Sequence, residues 1–575
     1  MRLMISESKN AKSLYAIKSV YKDGKRSTKI VEKLGTMDEL SKLHDDPVYW
    51  ARQYIAELTE KEKNSEREVI IKRRQSKRLT KDEQHLYNGG YLFLQDIYHE
   101  LGLDDICRSI SGKYKFTFNL DSILSRLVYS RIIFPASKLG TYQLSGQFLE
   151  QPDFDIHHIY RALEVLAKET DFIQSQLYQN SLAVSKRNDK VLYYDCTNFF
   201  FETEQEEGLK QYGPSKEHRP SPIVEMGLFM DADGIPLAFC IHSGNTNEQT
   251  TLKPLEQTIM QDFHMARFVV CTDAGLSSTE NRRFNNAGER AFITTQSIKK
   301  LKKHLREWSL EKDGWLMYGD SRKQTYHLGE LEKDAETAER YRNATFYRER
   351  WIKEDGLEQR LIVTYSIKYR NYQRQIRSSQ IERAAKLLTG NPSSIKKHHQ
   401  NDFKRFIGHA GITPDGEAAD KDIFFLNTEL IAAEEIYDGF YAVCTNLKDE
   451  APSIVKINHR RWEIEECFRI MKSDFRARPV YLKRDDRIRA HFTTCFLALT
   501  IYRYLEKRLE GKFSSSAIIQ TLRDMNFYAV PGEGYIPTYT RTDLTDALHH
   551  AFGFHTDYQI VTIKQMKKIF KDTKK

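Results

Sequence analysis

The spacing of hydrophobic and polar positions changes character three times along the 575-residue chain. Residues 1–45 carry short β-type runs. SLYAIKSV and STKIVEKLG flank YKDGKR, whose Asp23-Gly24 pair suits a hairpin turn. Residues 47–85 read as a charged helix, and IIKRRQSKR brings Lys72, Arg73, Arg74, Lys77 and Arg78 together. Such a run is either a solvated helix or linker, or a face that meets phosphates. From 90 to 190 apolar residues return at helical spacing, in YLFLQDIYHELGLDDICRSI, LDSILSRLVYSRIIFP and HHIYRALEVLAKETDFIQSQL. Arg126, Arg131, Lys138, Arg161, Lys186 and Arg187 on those helices suit a helix-turn-helix-like DNA reader and an ordinary bundle equally.

Beyond residue 190 the period becomes strand-like. VLYYDCTNFFF is followed by the hairpin IVEMGLFMDADGIPLAFCIHSG, the helix TLKPLEQTIMQDF, the buried strand ARFVVCTDAG, the helix SSTENRRFNNAG and the strand RAFITTQS. The predicted order is β-β-β-α-β-α-β, an antiparallel meander leading into parallel strands with crossover helices. The pattern breaks between 297 and 435, where LIVTYS and DIFFLN are strand candidates and LLTGNPSSIKKHHQ a loop. A structureless connection of that length is implausible, so the segment reads as an inserted domain. YDGFYAVCTN resumes the core, a long helical run follows, and the chain closes on the basic QMKKIFKDTKK.

Composition narrows the classes. The chain is 40% hydrophobic and 29% charged, with 31 Tyr and 31 Phe, which supports folded cores and excludes global disorder. No apolar run approaches the roughly 20 residues that span a bilayer, so no membrane partner is expected. The first residues lack a secretory pattern, and the seven cysteines form no CxxC pair, which predicts a cytoplasmic protein. Lys and Arg number 89 against 80 Asp and Glu, a mild excess compatible with a polyanionic partner.

Three acids stand apart from the surface charge. Asp195 interrupts the most apolar stretch of the first strand, Asp273 ends another strand, and Glu465 lies in NHRRWEIEECFRIMKSDFRARPVYL after the last one. A charge in a buried strand costs several kcal/mol unless it is paired or bound to a metal. At about 100° per residue, Arg461, Glu465 and Lys472 fall within roughly 40° of one another, a single stripe on a regular helix. Read alone, the stripe is a solvated face with an Arg–Glu pair. Read with the aspartates, it brings a third carboxylate to a set that could hold hard cations such as Mg²⁺ or Mn²⁺.

The order strand–Asp, strand–Asp, insertion, helix–Glu resembles the RNase H-like core of DDE transposases from bacterial insertion sequences, in the branch with a β-rich insertion. That branch carries a Tyr-Arg-Glu-Lys signature. Arg461, Glu465 and Lys472 match its last three positions, and Asn458 stands where the tyrosine is expected. YYDCTN, PLAFCIHSGNTNE with Gly244, Asn245 and Glu248, CTDAG and RIRAHFTTCFLAL also match. The resemblance implies an α/β fold: an RNase H-like mixed sheet with flanking helices, a β-rich inserted domain and a mainly helical N-terminal region. The resemblance covers roughly 190–510, and with the pattern along the chain it divides the protein into a small β-hairpin piece and charged helix at 1–85, a helical, DNA-binding domain at 86–188, a catalytic core at 189–296 and 437–510, an insertion at 297–436, and a helical basic region at 511–575. It makes Asp195, Asp273 and Glu465 the catalytic ligands of two Mg²⁺ or Mn²⁺ ions, and places Arg461 and Lys472 on DNA phosphates. His218 and Arg219 in KEHRPSP suit DNA-backbone contacts or a plain loop. The expected activity is cleavage of terminal inverted repeats and strand transfer by a synaptic homodimer on double-stranded DNA of the bacterial nucleoid. A structure-specific nuclease and a non-catalytic DNA-binding derivative are the alternatives.

Overall fold

The computed structural model describes all residues except 9–10, 23–24, 65–68, 72, 77, 390–401 and 413–417. The chain forms two units, residues 1–83 and 84–575. The first holds three antiparallel strands, Arg2–Ser8, Ala11–Lys22 and Lys25–Thr36, and the helix Pro47–Asn64, with Leu14, Leu40 and Ala51 in its small core. The expected turn at Asp23-Gly24, together with Lys72 and Lys77, lies outside the described residues. Arg73, Arg74 and Arg78 fall in irregular chain past the end of that helix. Like charges one turn apart repel, and the run contains no acid to offset them.

The second unit is organised by a nine-stranded mixed sheet. In chain order its strands are β1 (Val191–Phe200), β2 (Ile223–Asp231), β3 (Pro236–Ser243), β4 (Val269–Thr272), β5 (Ala291–Thr295), β6 (Leu316–Met317), β7 (Phe346–Glu354), β8 (Leu357–Tyr365) and β9 (Phe440–Thr445). Their order across the sheet is β6-β7-β8-β9-β5-β4-β1-β2-β3. Only β1–β4 and β4–β5 run parallel. This is the mixed sheet with flanking helices that the sequence predicts.

The helices used below are α1 (Leu120–Ile133), α2 (Ile156–Lys168), α3 (Leu252–Asp262), α4 (Thr279–Phe284), α5 (Ala451–His459), α6 (Trp462–Arg469) and α7 (Asp485–Arg508). One face of the meander sends Tyr193, Phe199, Met226 and Leu228 into the main core, and the other packs Tyr194 and Phe229 against Leu255 and Ile259 of α3. Alternation along the strands makes this division. Residues Ala490 to Tyr502 of α7 are buried without a break, so this helix is covered on all sides, with α1 and α2 among its neighbours.

Three expected boundaries fall elsewhere. Residues 297–436 do not stand wholly apart, because β6, β7 and β8 join the core sheet through β9. β8 is buried along nearly all its length and needs cover and ladder partners that the core supplies. Only the later part, with the helix Ile367–Thr389 and the paired strands Ile407–Ile412 and Ala418–Leu426, has a small core of its own, around Ala384, Phe406 and Ile407. Residues 86–188 are helical as expected, but they share the main core and make no detached domain. Residues 511–575 are not purely helical: Asn526–Val530, Gly534–Pro537 and Val561–Thr562 form a sheet with Leu86–Asn88. Among the described residues, no helix is long and apolar enough to cross a membrane.

Candidate active site

β1 and β4 pair in parallel, with Val191 opposite Val269 and Tyr193 opposite Cys271. Continued by two residues, the same register sets Asp195 beside Asp273 at the carboxyl ends of neighbouring strands, which lie about 4.8 Å apart. Asp195 shares a face with Tyr193, and Asp273 with Cys271. That face meets the end of α5. The Tyr193 hydroxyl donates to the Ile457 carbonyl at 3.0 Å, and Asn458 Nδ2 lies 3.6 Å from the Cys271 sulfur.

The electrostatics bind this group together. Burial pushes the Asp195 carboxyl up to about 6; Lys216 opposes the rise, Asp273 adds to it, and Arg461 opposes it. Asp273 is held by its own turn, Oδ1 accepting from the Leu276 amide at 2.9 Å, and its carbonyl accepts from the Thr294 hydroxyl of β5 at 3.1 Å.

The segment expected as one regular helix is broken. α5 ends at His459, α6 starts at Trp462, and Ile470–Asp474 forms a π turn closed by the Phe475 amide on the Ile470 carbonyl. The wider turn rotates the side chains beyond α6 about the helix axis. The stripe splits. The Arg461 and Lys472 side chains are turned inward, each 14% exposed, while Glu465 is 65% exposed. Glu465 Oε1 is 4.0 Å from the Arg461 guanidinium. Lys472 donates to Thr197 Oγ1 at 2.7 Å, two residues past Asp195 on β1. Burial and then Lys216 push its ammonium down to about 8, against the pull of Glu225 and Asp195.

Asp195, Asp273, Arg461 and Lys472 thus form one interacting group, with Glu465 at its Arg461 edge. Arg461 and Glu465 line a cavity of about 320 Å³ with Asn458 and Tyr441. His218 and Arg219 line a second cavity, of about 920 Å³, with Lys216 and Glu248. Two groups of three potential metal ligands have their donor atoms within 4.8 Å of one another among the described residues: Asp155, His157 and His158, and His549, His555 and Asp557. The Asp195–Asp273–Glu465 set is more open than these.

Residues 187–501, more than half of the chain, match the family described as the transposase DDE domain. The chain belongs to this family. No curated protein matches the sequence. Among solved structures it is similar to a piggyBac transposase in a synaptic complex with hairpin DNA, at 8% identity over 84% of each chain with a TM-score of 0.34, a likeness too slight to carry an argument.

Within this transposase-family core, the sequence reading passed over Lys216, Glu225 and Thr197. Glu225 had a signal, since it interrupts IVEMGLFM just as Asp195 interrupts its own strand. It is 3% exposed, and burial and then Glu248 raise its carboxyl. Lys216 pairs with Glu248 at 2.9 Å and is one of the charges acting on Asp195. No pattern in GPSKEHRP marks it.

Trp462 is 60% exposed, because the break before α6 turns it out. His549 is fully buried with Nε2 3.0 Å from the Thr556 hydroxyl. A tyrosine hydroxyl does reach Asn458: Tyr441 of β9 donates to its Oδ1.

Proposed function

We propose that this transposase-family protein is the DNA transposase of a bacterial insertion sequence. It binds the terminal inverted repeats of double-stranded DNA, cuts a strand at each end, and joins the freed 3′ end to target DNA. It works as a homodimer on two ends, in the cytoplasm at the nucleoid. The observation that carries this reading is the placement of Asp195 and Asp273 side by side on parallel strands with Arg461 beside them.

The donor set suits a divalent cation. Asp273 adds to the rise of the Asp195 carboxyl, and a cation between two carboxylates relieves their repulsion. Asp195 and Asp273 would hold it, with Glu465 as the third ligand once its exposed side chain swings from Arg461. A Mg²⁺ or Mn²⁺ pair, when bound, supplies activation of the attacking oxygen and stabilisation of the leaving one.

The chain's own residues do the rest. Arg461 lies beside Asp195 and, among the described residues, is held only by a long contact of 4.0 Å to Glu465, so its guanidinium can exchange that carboxylate for a phosphate oxygen. Lys472 is fixed by Thr197 beside the same strand and places one positive charge next to the scissile phosphate. His218 and Arg219 approach the backbone from the second cavity.

The test is to incubate the purified protein with the DNA flanking its gene, with and without Mg²⁺, and to map cuts and joined products. Cuts at the element ends that vanish in Asp195→Ala support the reading. Cuts without joining point to a nuclease, and end binding without cuts points to a binding protein.

A further inference from the structure

A third cavity lies away from the carboxylates. It has a volume of about 450 Å³, within the roughly 300–1,000 Å³ of ligand sites. It opens between the helix Lys138–Ser145 and the segment Arg476–Leu482 beyond the π turn. Its lining includes Arg131, Lys138, Arg476, Arg478, His491 and Tyr481, and it contains no carboxylate.

The cations there are unusual for their burial. Lys138 is 5% exposed, and its Nζ has no hydrogen-bond partner among the described residues. Arg131 is also 5% exposed; it donates to the carbonyls of Phe475 and Ala136, and its Nε is unpartnered among the described residues. His491 Nε2 lies 3.1 Å from the Ala477 carbonyl. Burial and then Arg131 push the Lys138 ammonium down to about 7, and an anion seated between the two cations would relieve both. Among the lining residues no side chain supplies that anion, and Glu217, the acid that reaches a lining cation, is engaged by Arg478, so Lys138 and Arg131 are left for an anion from outside.

The surroundings say which anion. Arg478 of the lining pairs with Glu217, and the same carboxylate lies 3.8 Å from Lys472, so the Arg478 side of the cavity is linked to the active-site lysine. Tyr481, at the rim, is 67% exposed and offers a ring face to a base. The Val480 amide donates to the Phe200 carbonyl at the end of β1. That point is five strand residues, roughly 17 Å, from Asp195. In B-form DNA, about 17 Å along the helix axis is the rise of about five nucleotide steps of one strand, so the two points fall several nucleotides apart at most.

We propose that this cavity binds a backbone phosphate of the DNA strand, with its nucleotide against Tyr481, several nucleotides from the phosphate that reacts. The proposal rests on the DNA reading above and adds a contact that sets how the strand is threaded past Asp195.

The test uses the full chain. Melting is followed in sodium pyrophosphate and in sodium chloride of matched ionic strength, for the wild type, Lys138→Met and Arg476→Ala. Each protein is then titrated with a duplex carrying the element end, with and without pyrophosphate. Pyrophosphate is expected to raise wild-type melting and to displace the DNA. Lys138→Met should melt higher than wild type in chloride below about pH 7, where the buried amine still carries its charge. It should also lose the pyrophosphate response and bind the duplex about tenfold more weakly, a change of about 1.4 kcal/mol. Arg476 is exposed, so Arg476→Ala should melt as wild type does in chloride and show the same two losses.

Equal protection of all three proteins, or wild-type DNA affinity in both variants, overturns the proposal. Protection that depends on Lys138 but is unaffected by DNA assigns the cavity to a free phosphate and removes the DNA contact. The two readings fail separately. If the wild type cuts element ends and the variants bind them unchanged, only the cavity assignment falls. If the wild type neither binds nor cuts them, the proposed function falls.

Discussion

The Lys472 ammonium donates to the Thr197 hydroxyl at 2.7 Å, joining positions 275 residues apart in sequence. The bond ties the π turn after α6 to the strand that carries Asp195. Losing the acceptor and losing the donor should differ. Thr197→Val leaves a largely buried ammonium without its hydrogen-bond acceptor, with only the Glu217 carboxylate 3.8 Å away, and should cost about 1–3 kcal/mol. Lys472→Met removes the charge itself and should cost less stability but more strand cleavage. Urea melts and cleavage rates on the same preparations check the crossed order; a variant pair that ranks the same way in both would remove the bond from the mechanism.

Arg461 and Glu465 are 4.0 Å apart with the glutamate largely exposed, so their pairing contributes at most about 1 kcal/mol. Arg461→Ala and Glu465→Gln should therefore fold and melt close to wild type. Arg461→Ala should weaken end binding or cutting. Glu465→Gln keeps the side-chain shape and loses the charge, so cutting should collapse while DNA affinity changes little. Cutting by Glu465→Gln at near wild-type rate in Mg²⁺ would falsify the role proposed for this residue.

Gly244 closes the loop that presents Lys216, His218 and Arg219. A Cβ on Gly244 would stand 2.3 Å from the Ile223 carbonyl oxygen and 2.4 Å from that of Gln211, and one on Gly213 would stand 1.8 Å from the Gly244 oxygen. These are backbone atoms and cannot rotate away. Gly244→Ala should cost at least about 1–3 kcal/mol and reduce end binding by displacing the loop. Thermal melts and DNA titrations test both parts, and a variant with wild-type melting and affinity would show that the loop accommodates a side chain.

Glu256 of α3 is fully buried, and burial pushes its carboxyl up to about 8 despite the Asn285 amide and Arg290. Its two oxygens accept from Asn285 Nδ2 at 2.9 and 3.0 Å, while Asn285 Oδ1 has no partner among the described residues. The folded value lies above the unfolded one, so the folded protein holds the extra proton between about pH 4.5 and 8. Stability is full below that range and declines as pH rises through it. Glu256→Gln can give the Asn285 oxygen a donor and has nothing to titrate. It should match wild type near pH 5 and exceed it by several kcal/mol near pH 8.5, since each tenfold difference in proton affinity between the folded and unfolded chain is worth about 1.4 kcal/mol. Parallel loss of stability in both proteins between those pH values would show that Glu256 does not control it.

Much of this protein was legible along the chain, because the physical signals were local. Alternation marked β1 to β3. A lone acid inside an apolar strand marked Asp195, and the same signal stands at Glu225. The turn after β4 and the helical spacing of 90–190 were equally plain. Continuing the β1–β4 register sets Asp195 beside Asp273, a relation that a parallel pair with crossover helices already implies.

What the tertiary structure alone decided depends on contacts between distant segments. A periodic count cannot foresee the π turn at Ile470–Asp474, from which Lys472 reaches Thr197, or that Glu465 stays in solvent while Arg461 turns inward. Nor does the pattern of LIVTYS say which strand will cover it; β9 does, and so β7 and β8 belong to the core sheet instead of a separate lobe. Lys138 reads in sequence as one more helix cation. Only the packing of its helix against Arg476–Leu482 and α7 removes it from water with Arg131 and no acid in the cavity. Burial is a property of the neighbours a residue acquires, and a charge's cost or use follows from that burial and not from its place in the chain.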